Sequence, residues 1–139
     1  MKTVLLVEDE LIIGFGLAEA LISLGYRVVG PVPDLAAALV HARAAGLAGA
    51  VIDVQLGRDE AYPIADLLRA RGVPFLFTTG RPAWSLPQRF HAAPVLSKPF
   101  EPADVAALAA STFGQAAEVP RPIRQGLPAV GVVETASRC

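Results

Sequence analysis

Short apolar runs rich in β-branched residues alternate along this chain with longer segments of helical period, and that alternation admits few folds. The runs are Thr3-Val4-Leu5-Leu6-Val7, Tyr26 to Gly30, Ala48 to Val54, Val73 to Thr78 and Ala93 to Ser97. Strand and helix taking turns is the pattern of βα units, which assemble a mostly parallel sheet with helices on its faces. Acids stand where two of the runs stop: Glu8 and Asp9 after the first, and Asp53 after Ala50-Val51-Ile52. In an open parallel sheet, side chains at the carboxyl ends of strands converge on the crevice where ligands bind, so three acids there imply a cation.

Punctuation places the helices. Leu11, Phe15, Ala18 and Ile22 recur at helical spacing, Glu8 to Glu10 suit a positive helix N-terminus, and Gly25 is a natural stop. Pro33 and Asp34 cap an alanine-rich helix running to about Ala45, whose end Gly46 marks. After the loop Gln55 to Asp59, Pro63 sits in the first turn of a helix whose Ile64, Leu67 and Leu68 form a buried stripe, closed by Gly72. Pro82, Pro87 and Pro94 leave room for at most a short helix around Trp84 to Phe90, with Trp84 read as a packing residue and an exposed partner contact as the alternative. Glu101-Pro102 opens a last helix in which Val105, Leu108 and Thr112 share a face. The count is five strands and about five helices.

At 139 residues and 53% hydrophobic, the chain can bury a core in one domain, residues 1–113, without disulfide or metal staples. Residues 114–139, interrupted by Pro120, Pro122 and Pro128, read as a flexible Pro/Gly-rich tail too short for a second domain. Val130, Val132 and Val133 offer a brief strand or a docking segment there, and disorder is the blander alternative. Twelve Lys and Arg against 13 Asp and Glu give a formal charge of -1, so no basic field marks nucleic acid or an anionic membrane as a partner. The lone cysteine, Cys139, excludes an internal disulfide and a cysteine-based zinc site, and neither His41 nor His91 has a paired histidine at metal spacing. The acids at positions 8 and 9 interrupt the first apolar run too early for a signal peptide, and no apolar stretch is long enough to span a bilayer. A cytoplasmic protein is expected.

Two more polar groups lie at strand ends, in Thr78-Thr79-Gly80 and Ser97-Lys98-Pro99-Phe100. Three carboxylates, a hydroxyl and a lysine suit phosphoryl transfer: acids hold Mg²⁺, metal and lysine neutralise phosphoryl oxygens, the hydroxyl donates to another, and the remaining acid attacks. Each residue alone has an ordinary explanation, since acids favour helix N-termini, Asp and Thr begin turns, and lysines are usually solvated. Their conjunction at one sheet edge decides for a site. Two carboxylates about 4 Å apart repel by about 4 kcal/mol at an effective dielectric near 20, which a cation or a proton relieves.

These residues, in this order, resemble the motifs of the response-regulator receiver domain of bacterial two-component signalling over roughly residues 2–113. Val7-Glu8-Asp9-Glu10 is similar to its acidic pair, Val51-Ile52-Asp53 to its phosphorylated aspartate, Thr79 to its switch hydroxyl, and Lys98-Pro99-Phe100 to its lysine-proline signature. Pro74 to Gly80 and Ala93 to Phe100 look most like stand-alone, single-domain regulators of alphaproteobacteria. The resemblance implies a flavodoxin-like, doubly wound, five-stranded parallel sheet of order 2-1-3-4-5; the proline-broken stretch from Gly80 to Pro94 departs from it in making the fourth helix short or irregular. It implies that Glu8, Asp9, Asp53 and the backbone carbonyl of Gln55 hold Mg²⁺, and that the Lys98–Pro99 bond is cis. It implies that Asp53 takes phosphate from a histidine kinase or phosphotransfer protein, with Thr79 and Lys98 assisting. Output then runs through an unidentified downstream protein, from a monomer or weak dimer that is no enzyme beyond its own phosphorylation and dephosphorylation.

The chain departs from that pattern at Val95, where the family commonly has an aromatic residue coupled to the switch threonine. Gln55 and Arg81 occupy places that tune phosphate loss in the family, and Leu56-Gly57 stands where many relatives have proline. Two alternatives stay open: a receiver-like interaction module working without phosphorylation, and a haloacid-dehalogenase-like phosphatase. The phosphatase would want a second acid two residues after its nucleophile, where Gln55 stands.

Overall fold

The computed structural model describes residues 1–114; the tail and the candidate segment at Val130 to Val133 lie outside them. In chain order the elements are β1 (Thr3–Val7), α1 (Leu11–Ser23), β2 (Arg27–Val32), α2 (Leu35–His41), β3 (Leu47–Asp53), β4 (Gln55–Leu56), β5 (Asp59–Glu60), α3 (Tyr62–Ala70), β6 (Phe75–Thr79), β7 (Val95–Ser97) and α4 (Pro102–Phe113). Five strands pair in parallel in the order β2-β1-β3-β6-β7, and β4 and β5 form a separate antiparallel hairpin. Renumbered without the hairpin, this is the doubly wound order 2-1-3-4-5. The reversal of strand order beside β1 opens the crevice at the carboxyl edge.

Alternating side chains feed two cores. Leu5, Val7, Ile52 and Phe77 pack with α2 and α3, while Val4, Leu6, Val51 and Leu76 pack with α1 and α4. Asp34 caps α2 by accepting the Ala37 N–H at 2.8 Å, and Glu101 and Asp104 form a reciprocal capping box at α4. β2, an edge strand, continues past Gly30 through Pro31, where its register against β1 slips by one residue between the Leu5–Val29 and Val7–Val32 pairs. The Lys98–Pro99 bond is cis, as is Gly30–Pro31.

Several details differ from the pattern reading. Four α-helices are present among the described residues instead of about five. The proline-broken stretch forms two single 3₁₀ turns, Ala83–Ser85 and Gln88–Phe90, which bury Leu86 and Phe90 in place of a fourth helix. Phe90 stacks on Tyr62 with centroids 5.6 Å apart and meets Phe77 edge-on at 5.2 Å, so packing holds a segment that lacks a hydrogen-bonded helix. Trp84 does not pack there; it is 78% exposed. The loop after Asp53 is the β4–β5 hairpin, turned at Gly57 with φ of 60°. α2 ends at His41, four residues before Ala45.

Two helices present a different face from the one spacing suggested. α1 buries Gly14, Leu17, Ala18 and Leu21, leaving Leu11, Phe15 and Ile22 largely in solvent. α4 buries Val105, Ala109 and Phe113, with Leu108 and Thr112 only partly covered. The α4 choice follows from Gly49: Phe113 lies over it so closely that a Cβ would collide with the ring.

Candidate functional site

Parallel register sets Asp53 of β3 beside Thr78, and Thr79 of β6 beside Ser97, so the residues ending adjacent strands share one edge. Lys98 follows at the end of β7, and its backbone N–H donates to the Thr79 carbonyl at 2.8 Å. On the other side, the Glu8 N–H donates to the Val32 carbonyl at 3.0 Å and fixes the exit of β1. The edge is therefore held by backbone before any side-chain contact is made.

Lys98 is the electrostatic centre. Its Nζ donates to Asp53 Oδ2 at 3.2 Å and lies 3.2 Å from Glu8 Oε1. The second contact is an ion pair without hydrogen-bond geometry, leaving Oε1 buried and without a donor, while Oε2 accepts the Glu10 N–H at 3.1 Å. Asp53 Oδ1 accepts the Gln55 N–H at 3.3 Å. Asp9 Oδ2 accepts the Gly57 N–H at 2.7 Å, which ties the β4–β5 hairpin to the end of β1. Thr79 Oγ1 accepts the Arg81 N–H at 3.0 Å, so the hydroxyl proton is free to be given elsewhere.

Glu8 is fully buried, and that burial, reinforced by Asp53, pushes its carboxyl up to about 7 against the opposing pull of the Glu10 N–H and Lys98. For Lys98, burial pulls downward, but Asp53 and Glu8 outweigh it and leave the ammonium above its ordinary value. The lysine thus stays charged while one of its two acids is poised to take a proton.

A cavity of about 460 Å³ opens over this edge, lined by Asp9, Asp53, Gln55, Thr79 and Lys98 together with Arg81 at the rim. All six residues singled out in the sequence converge here, Glu8 being buried against Lys98. Gln55 belongs by position; its side-chain amide donates to the carbonyls of Gly57 (2.8 Å) and Asp59 (3.2 Å), bracing the hairpin. The sequence reading missed Glu60, whose Oε2 stands 3.5 Å from the Arg81 guanidinium with both side chains half exposed. The one signal for it is Gly57 within Gln55-Leu56-Gly57-Arg58-Asp59, a hairpin turn in place of a loop. Val95 is half buried in β7 and pairs in register with Phe77.

The acids fit a metal. Glu8, Asp9 and Asp53 each offer a carboxylate oxygen, all within 4.8 Å of one another. Oxygen-only ligation suits a hard divalent cation such as Mg²⁺, and Glu8 Oε1, ion-paired with Lys98 but accepting no hydrogen bond, has a lone pair that such a charge would satisfy.

No family model and no curated protein matches the chain, but solved structures do. The solution structure of SdrG from Sphingomonas melonis Fr1 is 38% identical at a TM-score of 0.71, over 80% of this chain and 95% of that one. SdrG from Pseudomonas melonis Fr1 in its BeF3-activated conformation is 41% identical at 0.67, over 78% and 94%. The receiver domain of the sensor histidine kinase PA1611 from Pseudomonas aeruginosa PAO1, with a magnesium ion coordinated in its active-site cleft, is 26% identical at 0.67, over 81% and 98%. Below 25% identity, the response-regulator receiver protein from Sinorhizobium medicae WSM419 shares the fold, with a TM-score of 0.70 at 22%, over 84% of this chain and 97% of that one. With its doubly wound sheet, its acidic and lysine-bearing edge and these relatives, the chain belongs to the receiver domains of two-component response regulators.

Proposed function

We propose that this chain is a single-domain response regulator that accepts a phosphoryl group on Asp53 from a phosphohistidine of a histidine kinase or phosphotransfer protein. One observation carries the reading: Asp53, Thr79 and Lys98 line a single cavity, giving a nucleophile, a hydroxyl donor and a cation within reach of one phosphoryl group. In the transfer, a carboxylate oxygen of Asp53 forms the new P–O bond as the P–N bond breaks, and the bonding pair returns to the imidazole. Lys98 Nζ, now shared between Asp53 and Glu8, faces the negative charge added at Asp53. The Thr79 hydroxyl, accepting from Arg81, points its proton to a phosphoryl oxygen.

Glu8, Asp9 and Asp53, with the Gln55 carbonyl, are the residues that would hold Mg²⁺. When bound, that ion neutralises phosphoryl oxygens. The magnesium in the PA1611 receiver cleft supports this choice of metal. The chemistry is confined to phosphorylation and dephosphorylation of the chain itself, and output runs through a downstream protein that reads the changed surface. A phosphatase of the haloacid dehalogenase kind would need an acid where Gln55 braces the hairpin. We place the protein in the cytoplasm; no described helix is long and apolar enough to cross a membrane.

The test is a titration with Mg²⁺, with and without beryllofluoride, followed by amide chemical shifts. The reading predicts that Thr79 and Lys98 move in two stages, one for each ligand. A response to Mg²⁺ that beryllofluoride leaves unchanged would favour an interaction module that works without phosphorylation.

A further inference from the structure

The outward face of α1 is apolar where a solvent face is normally polar. Leu11 is 60% exposed, Ile12 89%, Phe15 60% and Ile22 58%, and they fall within one arc of about 100° of the helix, beside the stripe that meets the sheet. Beside them runs a groove of about 410 Å³ between α1 and the Lys98–Phe100 turn, lined by Ile12, Gly16, Pro99 and Phe100. Nothing among the described residues covers this surface.

The chain itself leaves the described structure next to it. The Gly114 carbonyl accepts the Tyr26 hydroxyl at 2.6 Å, and the Phe113 carbonyl accepts Lys2 Nζ at 2.8 Å. Tyr26 stands three residues beyond the end of α1, and α4 packs alongside that helix, so the exit is at the C-terminal end of the apolar face. Onward from there, residues 127–133 read Leu-Pro-Ala-Val-Gly-Val-Val, seven residues without a charge. The 12 residues between Gly114 and Leu127 make 13 steps of chain, which reach up to about 43 Å at about 3.3 Å each. The 13 residues of α1 span only about 20 Å. Tail residues Arg121 and Arg124 precede the apolar run, and the only charge within α1 is the exposed Glu19.

We propose that residues 127–133 of this chain seat on the exposed face of α1 and in the groove beside Pro99 and Phe100. The tether favours this occupant over a second copy, because attachment at the edge of the face supplies a high local concentration at no cost in association. The groove is also lined by Lys98, which bonds Asp53, so the seated segment lies one side chain from the phosphoryl site. The inference does not depend on phosphorylation of Asp53.

Cys139, the only cysteine and six residues past Val133, is a natural attachment point for a nitroxide label. In the full chain, the label is expected to broaden selectively the amide signals of Leu11 to Ile22, with those of α2 unaffected. The double variant Val132→Asp, Val133→Asp should lose that selectivity while keeping its melting temperature. Uniform or absent broadening overturns the proposal. So does broadening that appears equally when isotope-labelled protein is mixed with separate spin-labelled protein, because the occupant is then a second copy. Phosphate incorporation is not read in this experiment, so its failure leaves the phosphoacceptor reading standing.

Discussion

Lys98 between two acids is the arrangement that most controls the behaviour of this site. The Glu8 carboxyl, pushed up to about 7 mainly by burial, carries a proton in the folded, metal-free protein at pH values where the unfolded chain has lost it. The folded state thus binds more protons between about 4.5 and 7, so this group's contribution to stability falls as pH rises through that window and levels above it. Measured against Glu8→Gln by urea unfolding in EDTA, the wild type should lose about 3 kcal/mol relative to the variant between pH 5 and pH 8, on the basis of about 1.4 kcal/mol per pKa unit. Lys98 has the same sense in a different window: its raised value adds stability that is fully present below its ordinary range and lost only in strong alkali, outside the Glu8 window. Removing the lysine should be costly. Lys98→Ala leaves two buried acids without their cation and is expected to destabilise the metal-free protein at pH 8 by about 3 kcal/mol. Asp53→Asn removes one of the crowded negative charges, so its metal-free melting temperature should exceed that of the wild type, and its gain on adding Mg²⁺ should be smaller.

At the scale of elements, the irregular segment between β6 and β7 separates anchoring from exposure. Phe90 is fully buried against Tyr62, Phe75 and Phe77, so Phe90→Ala should cost about 3–5 kcal/mol by chemical denaturation. Trp84→Ala, at an exposed position, should change stability by no more than about 0.5 kcal/mol. Strand positions and caps were legible in the sequence because alternation, Gly25, Asp34 and Glu101-Pro102 each have a local cause. Helix faces were not. α1 carries Leu11, Ile12, Ile13, Phe15, Leu17, Leu21 and Ile22, so more than one apolar stripe fits a 3.6-residue period, and only contact with the sheet selects Gly14, Leu17 and Leu21. In α4 the selector is Gly49, distant in sequence, which admits the Phe113 ring. Trp84 was misplaced for a related reason: its apolar mass suggested packing, but Leu86 and Phe90 take the buried positions.

For the molecule as a whole, the order β2-β1-β3-β6-β7 brings together at one sheet edge residues as distant as Glu8 and Lys98. The candidate site was more legible than the helix faces because strand ends in a doubly wound fold have a fixed destination. The β4–β5 hairpin and its Glu60–Arg81 pair were not legible, since short turns are decided by local hydrogen bonds such as Asp9 to Gly57. The central claim is that this edge exists to place a phosphoryl group on Asp53. Intact-mass spectrometry after exposure to acetyl phosphate and Mg²⁺ tests it most directly. A single added phosphoryl group on the wild type, absent from Asp53→Asn, is the predicted result; phosphate retained by Asp53→Asn, or never taken up by the wild type, would contradict it.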